Sequence, residues 1–163
     1  MKKSLLTLSV FAITSFAFKT SPSGFIQLKE TGMRVMYYEM KVDNCTVTIN
    51  DKPMKGNKIQ TQDRVKLLLT GVYGFRRQKG TDNVFPAAEV TITDEKGNVL
   101  YETENILANV VGEDGVSEQD ASVLSSYITA NSDWPAGKYY WQVKFWDLNG
   151  TGVILTEMML EKK

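Results

Sequence analysis

Trp134-Pro135-Ala136-Gly137-Lys138-Tyr139-Tyr140-Trp141-Gln142-Val143-Lys144-Phe145-Trp146-Asp147 decides the fold class of this chain. Read with a period of two, it sets Tyr139, Trp141, Val143 and Phe145 on one face. Tyr140, Gln142, Lys144 and Trp146 fall on the other. Successive side chains of a strand point to opposite sides of the pleat, so this is a half-buried strand entered through a Pro-Gly corner. The pattern points to a fold class, not to a reaction.

Downstream, Asp147-Leu148-Asn149-Gly150-Thr151-Gly152 turns the chain into a last strand, Ile154 to Leu160. Upstream, Ala88 to Asp94 alternates cleanly, and Asp94-Glu95-Lys96-Gly97-Asn98 turns it into Val99-Leu100-Tyr101, the best hairpin signal of the sequence. Arg64 to Val72 is another strand, with Val65, Leu67 and Leu69 inward and Leu68 adding apolar surface behind, as in a central strand. Phe25 to Leu28 begins an edge strand, Met33 to Val42 follows, and Cys45 to Ile49 continues the extended pattern. Asp51-Lys52-Pro53 and Lys55-Gly56-Asn57 carry turn chemistry. Helical evidence is confined to one place: Ser117 with Asp120 resembles a helix cap, and Val116, Ala121 and Leu124 share a face. A helix of two or three turns is expected there, before Ser126 to Thr129 returns to strand.

Short strands separated by turn residues, with one helix, predict a mainly β chain: an antiparallel two-sheet sandwich with one short inserted helix. A closed up-and-down barrel enclosing a ligand cavity is the alternative. Pro135-Ala136-Gly137-Lys138-Tyr139 favours the sandwich, because a tyrosine opens a strand four residues after a proline. This resembles the tyrosine corner of immunoglobulin-like and fibronectin type III domains, in which the ring packs inward and the hydroxyl bonds back to the turn. The alternation ending at Asp147 and the Asn149-Gly150 turn are similar to bacterial secreted immunoglobulin-like modules. The resemblance covers about the last thirty residues and implies a fold, which hosts many functions. The paired cysteines of antibody-type domains are absent from the sequence.

The N-terminus carries Lys2 and Lys3, an apolar stretch from Leu5 to Phe16, and small residues for a cut after Ala17. That is the pattern of a secretory signal peptide, too short to span a bilayer comfortably. Residues 1–17 are therefore expected to be the signal, 18–24 a linker and 25–163 a single domain. The expected location is the periplasm or surface of a bacterium, without stable membrane insertion. Lys+Arg and Asp+Glu number 19 each, and losing Lys2 and Lys3 leaves an excess of two acids. That balance argues against nucleic acid as a partner.

The sequence has no histidine. Ser-His-Asp and Cys-His nucleophiles need an imidazole base, so those chemistries are removed. One cysteine cannot supply the ligands of the usual zinc and copper sites. No cofactor or metal is expected. Cys45 shares a face with Val47 and Ile49 and reads as a buried thiol rather than a reactive one. Glu113, Asp114, Glu118 and Asp120 lack the spacing of a calcium loop, and acids at a helix start explain them. Asn44-Cys45-Thr46 and Asn149-Gly150-Thr151 match the glycosylation acceptor pattern, which matters only in a host that glycosylates.

Two constellations are candidates for binding. Trp134, Tyr140 and Trp146 form an aromatic patch if no second layer covers them. Flat aromatic surfaces stack on sugar rings and anchor protein interfaces. Gly71-Val72-Tyr73-Gly74-Phe75-Arg76-Arg77-Gln78-Lys79-Gly80 sets Tyr73, Phe75, Arg76 and Arg77 in a glycine-flanked loop. That loop either receives an acidic or carbohydrate ligand or is a solvated connection. The expected function is a non-catalytic, exported module binding a protein or glycan. The alternatives are a carboxylate-dependent glycan hydrolase or its accessory domain, and a small-ligand carrier if the strands close into a barrel.

Overall fold

Gly137–Asp147, the main part of the Trp134–Asp147 stretch, is the longest strand of the molecule described here, a computed structural model covering residues 23–163. Residues 1–17, read as a signal peptide, lie outside the described residues, as does most of the 18–24 segment. In chain order the elements are β1 (Ser23–Gln27), β2 (Arg34–Tyr38), β3 (Lys41–Ile49), β4 (Lys52–Pro53), β5 (Lys58–Ile59), β6 (Arg64–Tyr73) and β7 (Asn83–Val84). Next come β8 (Pro86–Asp94), β9 (Val99–Glu102), α1 (Ala108–Val111), β10 (Val116–Ser117), α2 (Glu118–Ala121) and β11 (Val123–Thr129). Last are β12 (Gly137–Asp147) and β13 (Val153–Lys162). The first strand takes in Ser23 and Gly24, two residues expected to belong to the linker.

Two antiparallel sheets face each other. The larger runs β1-β2-β13-β12-β8-β9, with β5 added in parallel beside the C-terminal end of β13. The smaller runs β11-β6-β3-β4, and β7 and β10 form a separate short pair. β12 pairs along its length with β13 on one side and β8 on the other, from Tyr139↔Leu160 to Phe145↔Ile154 and from Tyr139↔Asp94 to Trp146↔Ala87. Its inward residues Tyr139, Trp141, Val143 and Phe145 are buried, as the alternation requires. They share one core with Cys45 and Val47 of β3, Val65, Leu67 and Leu69 of β6, and Leu124 and Ile128 of β11. Each large side chain removed from water there contributes about 1.5–3 kcal/mol. The sheets remain separate and keep free edges, so the molecule is a sandwich and the barrel alternative falls.

Two expectations change. Met33 to Val42 is not one strand: β2 and β3 belong to different sheets, and Glu39 at φ 53° makes the corner between them. The residues report this as a change of parity, with Met33 and Val35 buried at odd positions and Met40 and Val42 at even ones. The single helix of two or three turns is replaced by two helices of four residues each. Ser117 does cap α2, its Oγ accepting from the Asp120 amide at 3.0 Å. The helix ends at Ala121 because Leu124, Ser126 and Ile128 then face inward with strand spacing. No helix among the described residues is long and apolar enough to cross a membrane.

Candidate functional site: an aromatic cleft and a sheet face

β9 ends the larger sheet and β11 ends the smaller one, and the two strands line one recess, which puts these edges on the same side of the sandwich. Between these two edges lies a cleft of about 300 Å³. Ile92 of β8, Leu100 and Tyr101 of β9, Tyr127, Ile128 and Thr129 of β11, and Asn131 and Trp134 of the following loop line it. None of these side chains is charged. Tyr101 and Tyr127 keep 49% and 58% of their surface in solvent. Trp134 is half-buried and stacks on Tyr139, with ring centroids 5.1 Å apart. The Arg64 guanidinium lies 4.2 Å from the Tyr127 ring centroid, a cation–π contact that orients the tyrosine.

The loop that carries Trp134 is held from three directions. Asn131 Oδ1 accepts from the Asp133 amide at 3.1 Å, an Asx turn that shapes the bend. The Trp134 amide donates to the Asn131 carbonyl at 3.3 Å. Lys162, near the end of β13 and buried, points its ammonium at the same loop. Its Nζ donates to the Asn131 carbonyl at 3.0 Å and to the Trp134 carbonyl. A buried ammonium with several hydrogen bonds is costly to move, so the aromatic wall is set before any ligand arrives.

The expected patch of Trp134, Tyr140 and Trp146 does not form as one surface. Trp134 belongs to the cleft, whereas Trp146 sits at the far end of β12 on the outer face of the larger sheet. Trp146 and Tyr140 are both half-buried, and Lys144 Nζ lies 5.0 Å from the Trp146 ring centroid. Around Trp146 the sheet register gathers other apolar side chains: Tyr38 and Val153 in its own row, and Met36, Leu155 and Phe25 in the next.

The 73–80 loop is tied down instead of presenting its aromatics. Phe75 is buried in the core, so it is unavailable to a ligand. The Arg76 amide donates to Asp147 Oδ2 at 2.6 Å, and its guanidinium reaches the Asn149 carbonyl at 3.3 Å. Asp147 is buried, and its other oxygen accepts from the Asn149 amide at 3.0 Å. This one carboxylate thus joins the loop to the β12–β13 turn. Arg77 pairs with Glu118 and with Asp82, contacts that raise its pKa, led by its bond to Glu118. Tyr73 remains exposed at the end of β6, 6.0 Å from Lys41 Nζ. Tyr73, Phe75, Arg76 and Arg77 therefore do not make one binding surface.

Among the described residues no group of three His, Cys, Asp or Glu side chains is placed to hold a metal ion. The cleft is lined by no carboxylate, so paired-carboxylate chemistry has no footing in it. Tyr101, Tyr127 and Asn131 were not among the sequence candidates. Tyr127 fell, unremarked, within the strand expected over Ser126 to Thr129, and Tyr101 was the last residue of the expected hairpin. What no one-dimensional pattern shows is that both strands end their sheets on the same side.

The fold and the cleft define an antiparallel β-sandwich with an uncharged aromatic recess at one seam. No family model matches the sequence, and no curated protein matches it. Among solved structures, one similar chain is described as the C-terminal domain of wzt. It shares 14% identity over 77% of this chain and 74% of that one, with a TM-score of 0.48. Another is the PmoD soluble domain from Methylocystis sp. ATCC 49242 (Rockwell), 12% identical over 85% of this chain and 96% of that one, with a TM-score of 0.36.

Proposed function

We propose that the chain is an exported, non-catalytic β-sandwich module that binds a neutral glycan in the cleft between β9 and β11. One observation carries the reading: Tyr101, Tyr127 and Trp134, from three separate segments, surround a recess lined by no charged side chain. A sugar ring offers an apolar C–H face and a rim of hydroxyls. Aromatic rings pack against the first, while Asn131, Thr129 and the tyrosine hydroxyls exchange hydrogen bonds with the second. A phosphorylated or acidic ligand calls for Arg or Lys in the lining, which this cleft lacks. The recess is at the lower end of the range for small-ligand sites, ~300–1,000 Å³. Export rests on the signal-peptide pattern of residues 1–17 and places the module in the periplasm or on the cell surface. The Tyr139–Pro135 bond, which closes a tyrosine corner, supports grouping it with immunoglobulin-like modules.

Calorimetric titration with short neutral gluco-, manno-, galacto- and xylo-oligosaccharides, against their sulfated and uronate counterparts, tests the proposal. At least one neutral series binds, and Tyr101→Ala and Trp134→Ala each weaken it about tenfold, the loss of one aromatic contact. Tyr101 lies on an exposed edge, so its variant reports on binding without disturbing the core. Failure of every neutral series to bind, or affinity unchanged in both variants, overturns the reading.

A further inference from the structure

The outer face of the larger sheet carries an apolar strip whose arrangement is self-complementary. Cross-strand register sets three rows over β1, β2, β13 and β12. One row is Phe25, Met36, Leu155 and Lys144; the next is Ser23, Tyr38, Val153 and Trp146; the third is Gln27, Arg34, Glu157 and Gln142. Phe25, Met36, Tyr38 and Leu155 are 54%, 45%, 54% and 41% exposed, on a face where alternation ordinarily places polar side chains. Together they show on the order of 400 Å² of largely apolar surface, the size of the largest patch on a typical lone chain, which is often a functional one.

We propose that this face binds a second copy of the same chain. A two-fold axis laid in the face, along the boundary between β2 and β13, exchanges those two strands and exchanges β1 with β12. Met36 then meets Leu155 of the partner subunit, and Tyr38 meets Val153 of the partner subunit. Arg34 meets Glu157 of the partner subunit, and the same contact repeats with the roles reversed. Phe25 lies against Lys144 of the partner subunit, where an ammonium and its aliphatic stem suit an aromatic face. A closed two-fold interface requires this self-complementarity of one patch.

Charge and area agree with that occupant. Within one chain Arg34 already pairs with Glu157, and Lys144 Nζ lies 3.2 Å from Glu89, so the face carries no net field to favour a charged partner. Without Lys2 and Lys3 the chain carries an excess of only two acids, so two copies repel only weakly at long range. Covering the strip and its rim on both copies buries about 1,000 Å², the threshold for a specific interface. The interface leaves the sugar cleft free, because β9 is at the opposite end of the sheet from β1. The two proposals therefore stand or fall separately.

Sedimentation equilibrium of the purified chain tests the pairing, with thermal melts confirming that each variant is folded. The wild-type chain sediments as a dimer. Arg34→Glu and Glu157→Arg alone each weaken the dimer at least about tenfold, because each sets like charges against one another twice across the two-fold. Mixed in equal amounts, the two variants restore the dimer, although the pair inside each chain stays broken in both. Tyr38→Lys, a change at an exposed position, also gives monomers. A monomeric wild-type chain, an undiminished dimer in the single variants, or an equimolar mixture that stays monomeric overturns the proposal.

Discussion

Tyr139 Oη donates a hydrogen bond to the Pro135 carbonyl at 2.5 Å, closing the corner that leads into β12. The same ring is stacked by Trp134, so one tyrosine fixes both the start of the central strand and the wall of the cleft. Tyr139→Phe keeps the ring and deletes the bond. It is expected to cost about 1–1.5 kcal/mol, measured by urea denaturation. Alkaline pH offers a second check. Burial raises the Tyr139 pKa above its ordinary 10.0, with the charge of Asp94 adding to it. The folded state therefore holds this proton to higher pH than the unfolded chain. Its contribution is complete below the unfolded pKa and is lost as pH rises through the folded one. Wild-type stability should fall more steeply above pH 10 than that of Tyr139→Phe.

Cys45 faces the core from β3, and burial pushes its thiol up to about 11 from 9.0. A thiol held protonated is a poor nucleophile. The native chain should label slowly with a thiol reagent at pH 8, speed up sharply in urea, and show no disulfide-linked dimer on a non-reducing gel. The sign follows the tyrosine's: the folded state keeps the proton longer, so stability present below pH 9 declines as pH rises toward 11.

Ser126 lies on the inner face of β11, buried, and its Oγ has no hydrogen-bond partner among the described residues. A hydroxyl taken from water without compensation costs about 1–3 kcal/mol, while its removal leaves only a small void. Ser126→Ala should raise stability by about 0.5–1 kcal/mol in urea denaturation, against the usual direction for a core truncation. A loss of stability would show that the hydroxyl is satisfied in solution.

Alternation made much of the fold legible in the sequence. Tyr139, Trp141, Val143 and Phe145 went to the core because a pleat allows them no other common face, and Val65, Leu67 and Leu69 followed the same rule. The tyrosine corner was legible from a proline and a tyrosine four apart. The corner at Glu39 was harder, since a left-handed glutamate carries no turn signature of its own and only the parity of the buried residues betrays it. The cleft was half visible. Trp134 was marked as a candidate, but Tyr101 and Tyr127 join it only through sheet order, which contacts distant in sequence determine. The 73–80 loop misled for a related reason: Asp147, 71 positions from Arg76, holds it down, and no local pattern encodes that bond.

Lys162 gives the sharpest test of preorganisation in the cleft, because it shapes the site without lining it. Its ammonium holds the carbonyls of Asn131 and Trp134, and no other side chain described is bonded to either. Lys162→Met keeps the length and apolar stem but removes the donors. The variant should lose about 1–3 kcal/mol of stability, because the two hydrogen bonds that the ammonium donates are gone. Its affinity for the neutral oligosaccharide that the wild type binds should fall about three- to tenfold, although every residue lining the recess is unchanged. Lys162→Arg restores donors and charge and should recover part of that affinity. If Lys162→Met loses stability while its titration curve superimposes on the wild type's, the loop holds its bound geometry without the ammonium, and preorganisation by Lys162 is wrong.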